Sequence, residues 1–244
     1  LETLLLTKRP KILFVQPSFQ NPTGRTLSLE TRQAVVELAK AYRVPVVEDM
    51  TYGDFYFDAP PPTSLRELAG GGLVIQLHTF SKTLAPGLRL GYIVADEAII
   101  DQLALVKAQS DLHSPTLSQW VITDMLTSGV FDTHIATLRH IHARRAKVLQ
   151  HALKRQLSDV ITWATPNGGM YLWCSLSPRV QGGSRELLIA AQAEGVTFAL
   201  GENFFADGSG KRTFRLCFSA VPDVKIEEGV NRLCAAVHSC LTST

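Results

Sequence analysis

The residues with the clearest chemical potential lie in the segment HTFSKTLAPGLRLGY, residues 78–92. Lys82 follows a predicted strand, with the hydroxyl groups of Thr79 and Ser81 beside it and Arg89 seven residues further on. A lysine amine can condense with an aldehyde, and hydroxyl groups together with a guanidinium group can hold a phosphate. The combination would suit a ligand that carries both an aldehyde and a phosphate. On composition alone, a surface lysine in a turn rich in glycine and proline is the favoured alternative.

Other polar residues also occupy positions where chemistry could occur. Asn21 lies in the turn Asn-Pro-Thr-Gly, and Asp49 follows a buried strand with Tyr52 three residues later. Taken singly, these could be a plain turn, a helix cap and a packing residue. Arg215 interrupts an apolar strand, and burying an arginine is costly without an anionic partner. That partner could be a fixed carboxylate or a substrate.

The predicted elements that must position these residues alternate between short apolar strands and amphipathic helices. In the first part of the chain we predict a helix at 28–42 and strands at 11–16, 44–47, 73–77 and 90–95. This alternation predicts an α/β fold with a mainly parallel sheet. Ligands of such sheets bind outside the carboxyl ends of the strands. We therefore expect Asn21, Asp49 and Thr79, which follow strands, to line one crevice.

The pattern changes after residue 97, where helices and strands no longer alternate strictly. The predicted helices are 97–108, 115–128, 131–157, 185–193 and 224–237, and the predicted strands are 160–164, 170–175, 196–200 and 213–219. This pattern predicts a second, smaller α+β domain. The long helix is a candidate for the connection between the two domains.

Composition excludes several other classes of protein. The 244 residues are 45% hydrophobic and 19% charged with a net charge of +2, which is typical of a globular chain without a nucleic-acid-binding footprint. The four cysteines form no C-x-x-C pair, so we predict no metal site, and their usage suits a reducing, cytoplasmic environment. No apolar run approaches the roughly 20 residues that span a bilayer. The N-terminal residues do not have the features of a signal peptide.

Taken together and in this order, the motifs resemble those of the class I/II aminotransferases, which are fold-type-I enzymes dependent on pyridoxal 5'-phosphate (PLP). The resemblance spans nearly the whole chain and is closest to the group that contains 2-aminoadipate and kynurenine aminotransferases and the aminotransferase-like domains of MocR-type regulators. It is carried by PSFQNPTG (17–24), VVEDMTY (46–52), HTFSKTLAPGLRLGY (78–92), PNGGMYLW (166–173) and TFRLCFS (213–219).

The resemblance implies catalytic roles for three residues. Lys82 would form the Schiff base with PLP and move a proton between the substrate α-carbon and the cofactor. Asp49 would pair with the pyridine nitrogen and keep it protonated, so that the ring can act as an electron sink. Tyr52, together with Asn21, would hydrogen-bond the ring hydroxyl group. Met50 stands where many relatives have a second acidic residue, and we expect little effect from this difference.

The resemblance also implies which residues bind the phosphate and the substrate. Thr79, Ser81 and Arg89 would contact the phosphate group of PLP. Arg215 would hold the α-carboxylate of the substrate with two parallel hydrogen bonds, and Asn21 would lie beside it. The substrates would be an amino acid and a 2-oxo acid.

The resemblance further predicts the domain organisation. Residues 1–105 correspond to the C-terminal portion of the PLP-binding large domain, 106–130 to interdomain helices and 131–244 to the small C-terminal domain. The family has an upstream segment with a phosphate-binding loop and an aromatic residue that stacks on the cofactor. Because the sequence starts just before the strand that leads to Asn21, we expect it to be part of a longer, homodimeric protein.

Two alternatives to an aminotransferase remain open. MocR-type transcriptional regulators of the GntR family retain the same cofactor residues in an effector-sensing domain and would contact nucleic acid only through a separate upstream domain. A structural remnant that binds no cofactor is the third possibility. The sequence does not identify the substrate side chain.

Overall fold

The computed structural model describes residues 1–241, which form two compact units. The first unit contains Leu1–Gln20 and Arg25–Thr137, and the second contains Asn21–Gly24 and the chain from Leu138 onward. The predicted interdomain helices at 106–130 therefore belong to the first unit. The described chain contains no helix that is long and apolar enough to cross a membrane.

The first unit is built on a four-stranded sheet in the order β1-β2-β3-β4. Its strands are β1 (Leu13–Val15), β2 (Val46–Asp49), β3 (Val74–Thr79) and β4 (Gly91–Val94). The β1, β2 and β3 strands are parallel, as predicted, whereas β4 runs antiparallel to β3. The helices of this unit are α1 (Glu2–Lys8), α2 (Leu29–Tyr42), α3 (Leu65–Ala69), α4 (Phe80–Thr83), α5 (Glu97–Ser110) and α6 (Thr116–Thr127).

The sequence at the start of α2 explains where that helix begins. Ser28 has an extended backbone, and its hydroxyl oxygen accepts a hydrogen bond from the backbone N–H of Thr31 at 3.3 Å, which satisfies one of the free amides of the first turn. The helix then ends at Arg43, which adopts a left-handed conformation. The predicted helix at 28–42 is thereby confirmed.

The core of the first unit lies on one face of the sheet. Val35 and Val36 of α2 and Leu65 of α3 pack against Val46 and Val74, which are neighbours on β2 and β3. Side chains alternate between the two faces of a strand. The residues next to Val46 on β2 and next to Val74 on β3 therefore point to the opposite face of the sheet. The opposite face is apolar but more open: Phe14 on β1 is 61% exposed, although parallel sheets usually have both faces covered.

The second unit contains an antiparallel sheet in the order β5-β6-β8-β7. Its strands are β5 (Ile161–Trp163), β6 (Tyr171–Leu176), β7 (Ala199–Leu200) and β8 (Thr213–Cys217), and its helices are α8 (Ser184–Ala193) and α9 (Asp223–Ser239). The long helix α7 (Val130–Leu157) begins in the first unit and ends in the second. These elements match the predicted α+β pattern, although the strand predicted at 196–200 pairs only at its last two residues.

Candidate active site

Asp49 is the last residue of β2, and its carboxylate is held by neutral donors. Oδ1 accepts hydrogen bonds from the backbone N–H of Thr51 at 2.9 Å and from the Thr51 hydroxyl group at 2.5 Å, while Oδ2 accepts one from Nε2 of Gln16 at 2.8 Å. Asp49 is half-buried. These contacts fix the carboxylate at the carboxyl end of the strand, where a ligand of a parallel sheet is expected.

The neighbouring carboxylate of Glu48 has a structural role instead. Glu48 is fully buried on the opposite face of the sheet, where it accepts hydrogen bonds from the first two backbone amides of α3, Leu65 at 2.7 Å and Arg66 at 3.0 Å. A carboxylate at a helix N-terminus is stabilised by free N–H groups. Of the two adjacent acids, only Asp49 therefore remains available for a ligand.

Lys82 lies in the single helical turn α4, directly after β3. Thr79 ends β3, and its hydroxyl oxygen caps α4 by accepting a hydrogen bond from the backbone N–H of Ser81 at 3.1 Å. This cap and the bond from the Leu84 amide to the Phe80 carbonyl oxygen close one turn of helix around Lys82. Lys82 is half-buried, and within the described residues its amine has no hydrogen-bond or ion-pair partner.

Arg89 follows a short 3₁₀ helix at Pro86–Leu88 and is exposed. It adopts a left-handed backbone conformation with φ of 49°, which non-glycine residues seldom adopt. One guanidinium nitrogen donates to the Pro86 carbonyl oxygen at 3.2 Å. Arg89 lies in the same segment, residues 78–92, as Lys82 and the hydroxyl groups of Thr79 and Ser81. Its remaining guanidinium donors and these hydroxyl groups are of the types that bind a phosphate.

Tyr52 completes the part of the site that lies in the first unit. It follows β2 by three residues and is only 3% exposed. The turn that holds it is closed by a hydrogen bond from the Phe55 amide to the Tyr52 carbonyl oxygen at 3.0 Å. The Tyr52 ring is therefore closely packed within the first unit.

An aromatic group that sequence reasoning missed lies beside this segment. His78 and Tyr92 are register partners on β3 and β4, and their rings stack with centroids 4.4 Å apart. Burial lowers the pKa of His78, against the opposing effect of Asp54, and raises the pKa of Tyr92. Both rings line a cavity of about 570 Å³ that also borders Thr79, but Lys82 is not among its lining residues. The antiparallel register of β3 and β4 is the feature that could have identified the pairing of His78 with Tyr92.

The second unit holds Arg215 in the middle of its sheet. Arg215 lies on β8, and Nη1 donates to the side-chain oxygen of Asn21 at 2.6 Å. The guanidinium carbon lies 4.0 Å from the centroid of the Tyr171 ring and 5.1 Å from that of Phe204, which are distances for cation–π contact. The aromatic contacts were not predicted, because Tyr171 and Phe204 are distant in sequence.

Arg215 has a side-chain hydrogen-bond donor that an anion could use. Its Nε is buried, and in the described part of the chain no acceptor bonds to it. Residues 1–241 also provide no ion-pair partner for this guanidinium group. The fixed carboxylate considered as an alternative is thus not found among these residues. A buried donor without an acceptor is destabilising, and a bound carboxylate would satisfy it.

The sequence-predicted site residues are thus divided between the two units. Asp49, Tyr52, Thr79, Ser81, Lys82 and Arg89 lie in the first unit, and Asn21 and Arg215 lie in the second. Within the first unit the structure confirms that Asp49 and Thr79 stand at the ends of neighbouring parallel strands. Within the second it joins Asn21 to Arg215.

Comparison with known proteins identifies the family. The family model described as aminotransferase class I and II matches residues 1–233. The chain belongs to the class I and II aminotransferases. The 2-aminoadipate transaminase of Thermus thermophilus is 37% identical to it over 244 residues, which cover 99% of this chain and 61% of the transaminase.

Two further relatives of this aminotransferase chain are informative. The crystal structure of LysN, the α-aminoadipate aminotransferase of Thermus thermophilus solved with N-(5'-phosphopyridoxyl)-L-leucine, superposes with a TM-score of 0.92 at 34% identity and covers 98% of this chain and 61% of LysN. The uncharacterized HTH-type transcriptional regulator YisV of Bacillus subtilis is 32% identical over 90% of this chain and 45% of YisV. The chain spans little more than half the length of the curated aminotransferases that it matches.

Proposed function

We propose that this chain forms the larger part of a PLP-dependent aminotransferase that transfers an α-amino group between an amino acid and a 2-oxo acid. The observation that supports this most strongly is the amine of Lys82, which follows the carboxyl end of β3 and has no hydrogen-bond or ion-pair partner in the described chain. A half-buried lysine without a counter-ion is suited to nucleophilic attack on an aldehyde. Membership of the aminotransferase family supports the same conclusion.

The residues of the first unit fit the groups of PLP. Asp49 would bind the pyridine nitrogen, because its carboxylate is oriented by Gln16 and Thr51 and is not consumed by an ion pair in residues 1–241. Arg89 would bind the phosphate with its exposed guanidinium donors. Thr79 would assist, because its hydroxyl oxygen accepts from Ser81 while its proton remains available to donate.

Three further roles belong to the same proposal. The hydroxyl group of Ser81 would contact the phosphate, and Tyr52 and Asn21 would hold the ring hydroxyl group. When bound, PLP supplies an electron sink for the bond that is broken at the substrate α-carbon. The amine of Lys82 would then hold and return the proton at that carbon, acting as a general base and acid.

Arg215 would bind the α-carboxylate of the substrate. Its Nε has no acceptor in the described residues and points the same way as one Nη group in the planar guanidinium fork, so the two can grip a carboxylate together. The bond from Nη1 to Asn21 and the ring of Tyr171 hold the fork in place before the substrate arrives. This preorganisation reduces the entropy lost on binding.

The domain organisation and the assembly are also part of the proposal. We assign residues 1–105 to the PLP-binding domain, 106–130 to interdomain helices and 131–244 to the small domain. A homodimer is supported by the apolar surface of the first unit, where Leu117 and Trp120 of α6 are 72% and 70% exposed. Exposed apolar patches of this kind mark interaction surfaces. A cytoplasmic location is supported by four free cysteines.

A second candidate function is the effector domain of a MocR-type transcriptional regulator, because YisV and other HTH-type regulators are among the relatives. Such a domain would bind PLP at the same residues and would contact DNA only through a separate domain. The two functions differ in turnover: an enzyme transfers amino groups repeatedly, whereas a sensor binds the ligand without sustained transfer.

The experiment that tests the proposal measures amino transfer by the complete protein that contains this chain. Steady-state transfer from 2-aminoadipate or an aromatic amino acid to 2-oxoglutarate is expected, and Lys82→Ala should abolish it. Lys107→Ala is the matched control, since Lys107 lies on exposed α5 in an ion pair with Asp111. PLP binding without transfer from any amino acid tested would contradict the enzyme and favour the regulator.

A further inference from the structure

Gln16 lies next to Asp49 because β1 and β2 are parallel and in register. Val15, the last residue of β1, is the register partner of Glu48, so Gln16 and Asp49 each lie one residue further along the two chain segments. Register partners share a face of the sheet. The side-chain amide of Gln16 therefore reaches the Asp49 carboxylate directly, with Nε2 2.8 Å from Oδ2.

Hydrogen bonds already occupy most of the acceptor capacity of Asp49. An ionised carboxylate offers about four lone-pair positions on its two oxygens. The Thr51 amide and hydroxyl group occupy Oδ1, and Gln16 takes one position on Oδ2. In the described residues no other donor bonds to this carboxylate. One position therefore remains, and it lies on the oxygen that Gln16 holds.

The same arrangement occurs on the opposite face of the sheet with a different outcome. Gln76 on β3 is the register partner of Glu48, and its Nε2 donates to Oε2 of Glu48 at 3.0 Å. Glu48 is buried, and two backbone amides of α3 also bind it. Within the described chain, each acid of the Glu48–Asp49 pair thus accepts three hydrogen bonds, one of them from a glutamine side chain. Glu48 is fully buried, whereas Asp49 is half-buried, so only the open acceptor position of Asp49 can be reached by a ligand.

We propose that Gln16 is a positioning residue that orients the Asp49 carboxylate so that a single lone pair on Oδ2 faces the pyridine nitrogen of PLP. This inference rests on the proposed function, since it assigns Asp49 to that nitrogen. Gln16 contributes no charge of its own, so the attraction between the Asp49 carboxylate and a protonated ring is retained. Among residues 1–241, Gln16 donates the one hydrogen bond to Oδ2, and the other two bonds of the carboxylate come from Thr51. Without Gln16, the bonds within this part of the chain would hold the carboxylate through Oδ1 and not through Oδ2.

The experiment uses the complete protein and PLP labelled with ¹⁵N at the ring nitrogen. Gln16→Met keeps the length of the side chain and removes the donor, and Gln76→Met makes the same change beside Glu48. The affinity for PLP is measured by titration, and the protonation of the ring nitrogen is measured by its ¹⁵N chemical shift. We expect Gln16→Met to weaken PLP binding about tenfold, equivalent to ~1.4 kcal/mol, and to move the ¹⁵N resonance toward that of an unprotonated ring.

The control and the outcomes separate this inference from the proposed function. Gln76→Met should lower stability but leave the PLP affinity within twofold of the unmodified protein and the ¹⁵N resonance unmoved. Gln16→Asn, which keeps a donor on a shorter side chain, should shift both readouts in the same direction as Gln16→Met and serves if the latter fails to fold. Readouts of the folded Gln16 variants equal to those of the unmodified protein would overturn the role of Gln16. Absence of PLP binding by the unmodified protein would instead overturn the proposed function.

Discussion

Replacing Arg215 by lysine should weaken amino-acid binding far more than PLP binding. Lysine keeps the positive charge but loses the planar fork, so at most one of the two hydrogen bonds to the substrate carboxylate survives. A hydrogen bond to a charged group contributes about 1.5–3 kcal/mol. The loss of one such bond, about 2 kcal/mol, corresponds to a roughly 30-fold increase in KM for the amino acid.

The structure adds a second reason to expect this loss. In the native arrangement Asn21 and the Tyr171 ring hold the guanidinium group in place. A lysine ammonium group lacks the flat surface that stacks on Tyr171 and would move away from this position. Arg215→Met removes the charge as well and should increase KM by a larger factor than Arg215→Lys.

The assay compares KM for the amino acid with the dissociation constant of PLP in the complete protein. Arg212→Lys is the matched control, because Arg212 lies three residues before Arg215 and donates to the backbone carbonyl oxygens of Leu176, Ser177 and Val180. It should lower stability without changing KM. The account of Arg215 is refuted if Arg215→Lys leaves KM within twofold, or if it weakens PLP binding and amino-acid binding equally.

Further predictions concern the stability of the fold. Burial, with Arg145 adding to it, lowers the pKa of His142 to about 4. As the pH decreases from 6.5 to 4, the imidazole of His142 is protonated in the unfolded chain but not in the folded one. The free energy of unfolding should therefore decrease by up to about 3 kcal/mol across this window, and His142→Gln should flatten that pH dependence in denaturant titrations. Ser28→Ala should cost about 1 kcal/mol through loss of the α2 cap, while no change in the denaturation midpoint would contradict the cap. Gly201→Ala should cost about 1–3 kcal/mol, since its Cβ would lie 2.4 Å from the Thr213 carbonyl oxygen; an unchanged thermal midpoint would show that this contact relaxes.

Local sequence patterns were sufficient to predict most of the regular elements. The parallel strands β1, β2 and β3 are short apolar runs, and α2 begins at a capping serine, so hydrophobic spacing and side-chain chemistry both act within a few residues. The short helices α1 and α3 were missed because each has only a few residues and little apolar periodicity. The antiparallel direction of β4 was not predicted, because strand direction depends on the path of the 3₁₀ segment between Pro86 and Leu88.

The site was predictable as a set of residue types but not as a set of contacts. Lys82 and Asp49 were identified from motifs, whereas the bond between Gln16 and Asp49 depends on the register of two strands 33 residues apart. The bond between Asn21 and Arg215 joins residues 194 positions apart. Contacts of this kind are set by tertiary packing, and no local pattern encodes them.

Reductive trapping tests the central claim most directly. The complete protein is incubated with PLP, reduced with borohydride and digested, and the peptides are examined by mass spectrometry. The account predicts a phosphopyridoxyl group on the peptide that contains Lys82, its loss in Lys82→Ala and its retention in Lys107→Ala. An unmodified Lys82 peptide in the unmutated protein, whether or not another lysine carries the group, would contradict the assignment of Lys82 and with it the proposed function.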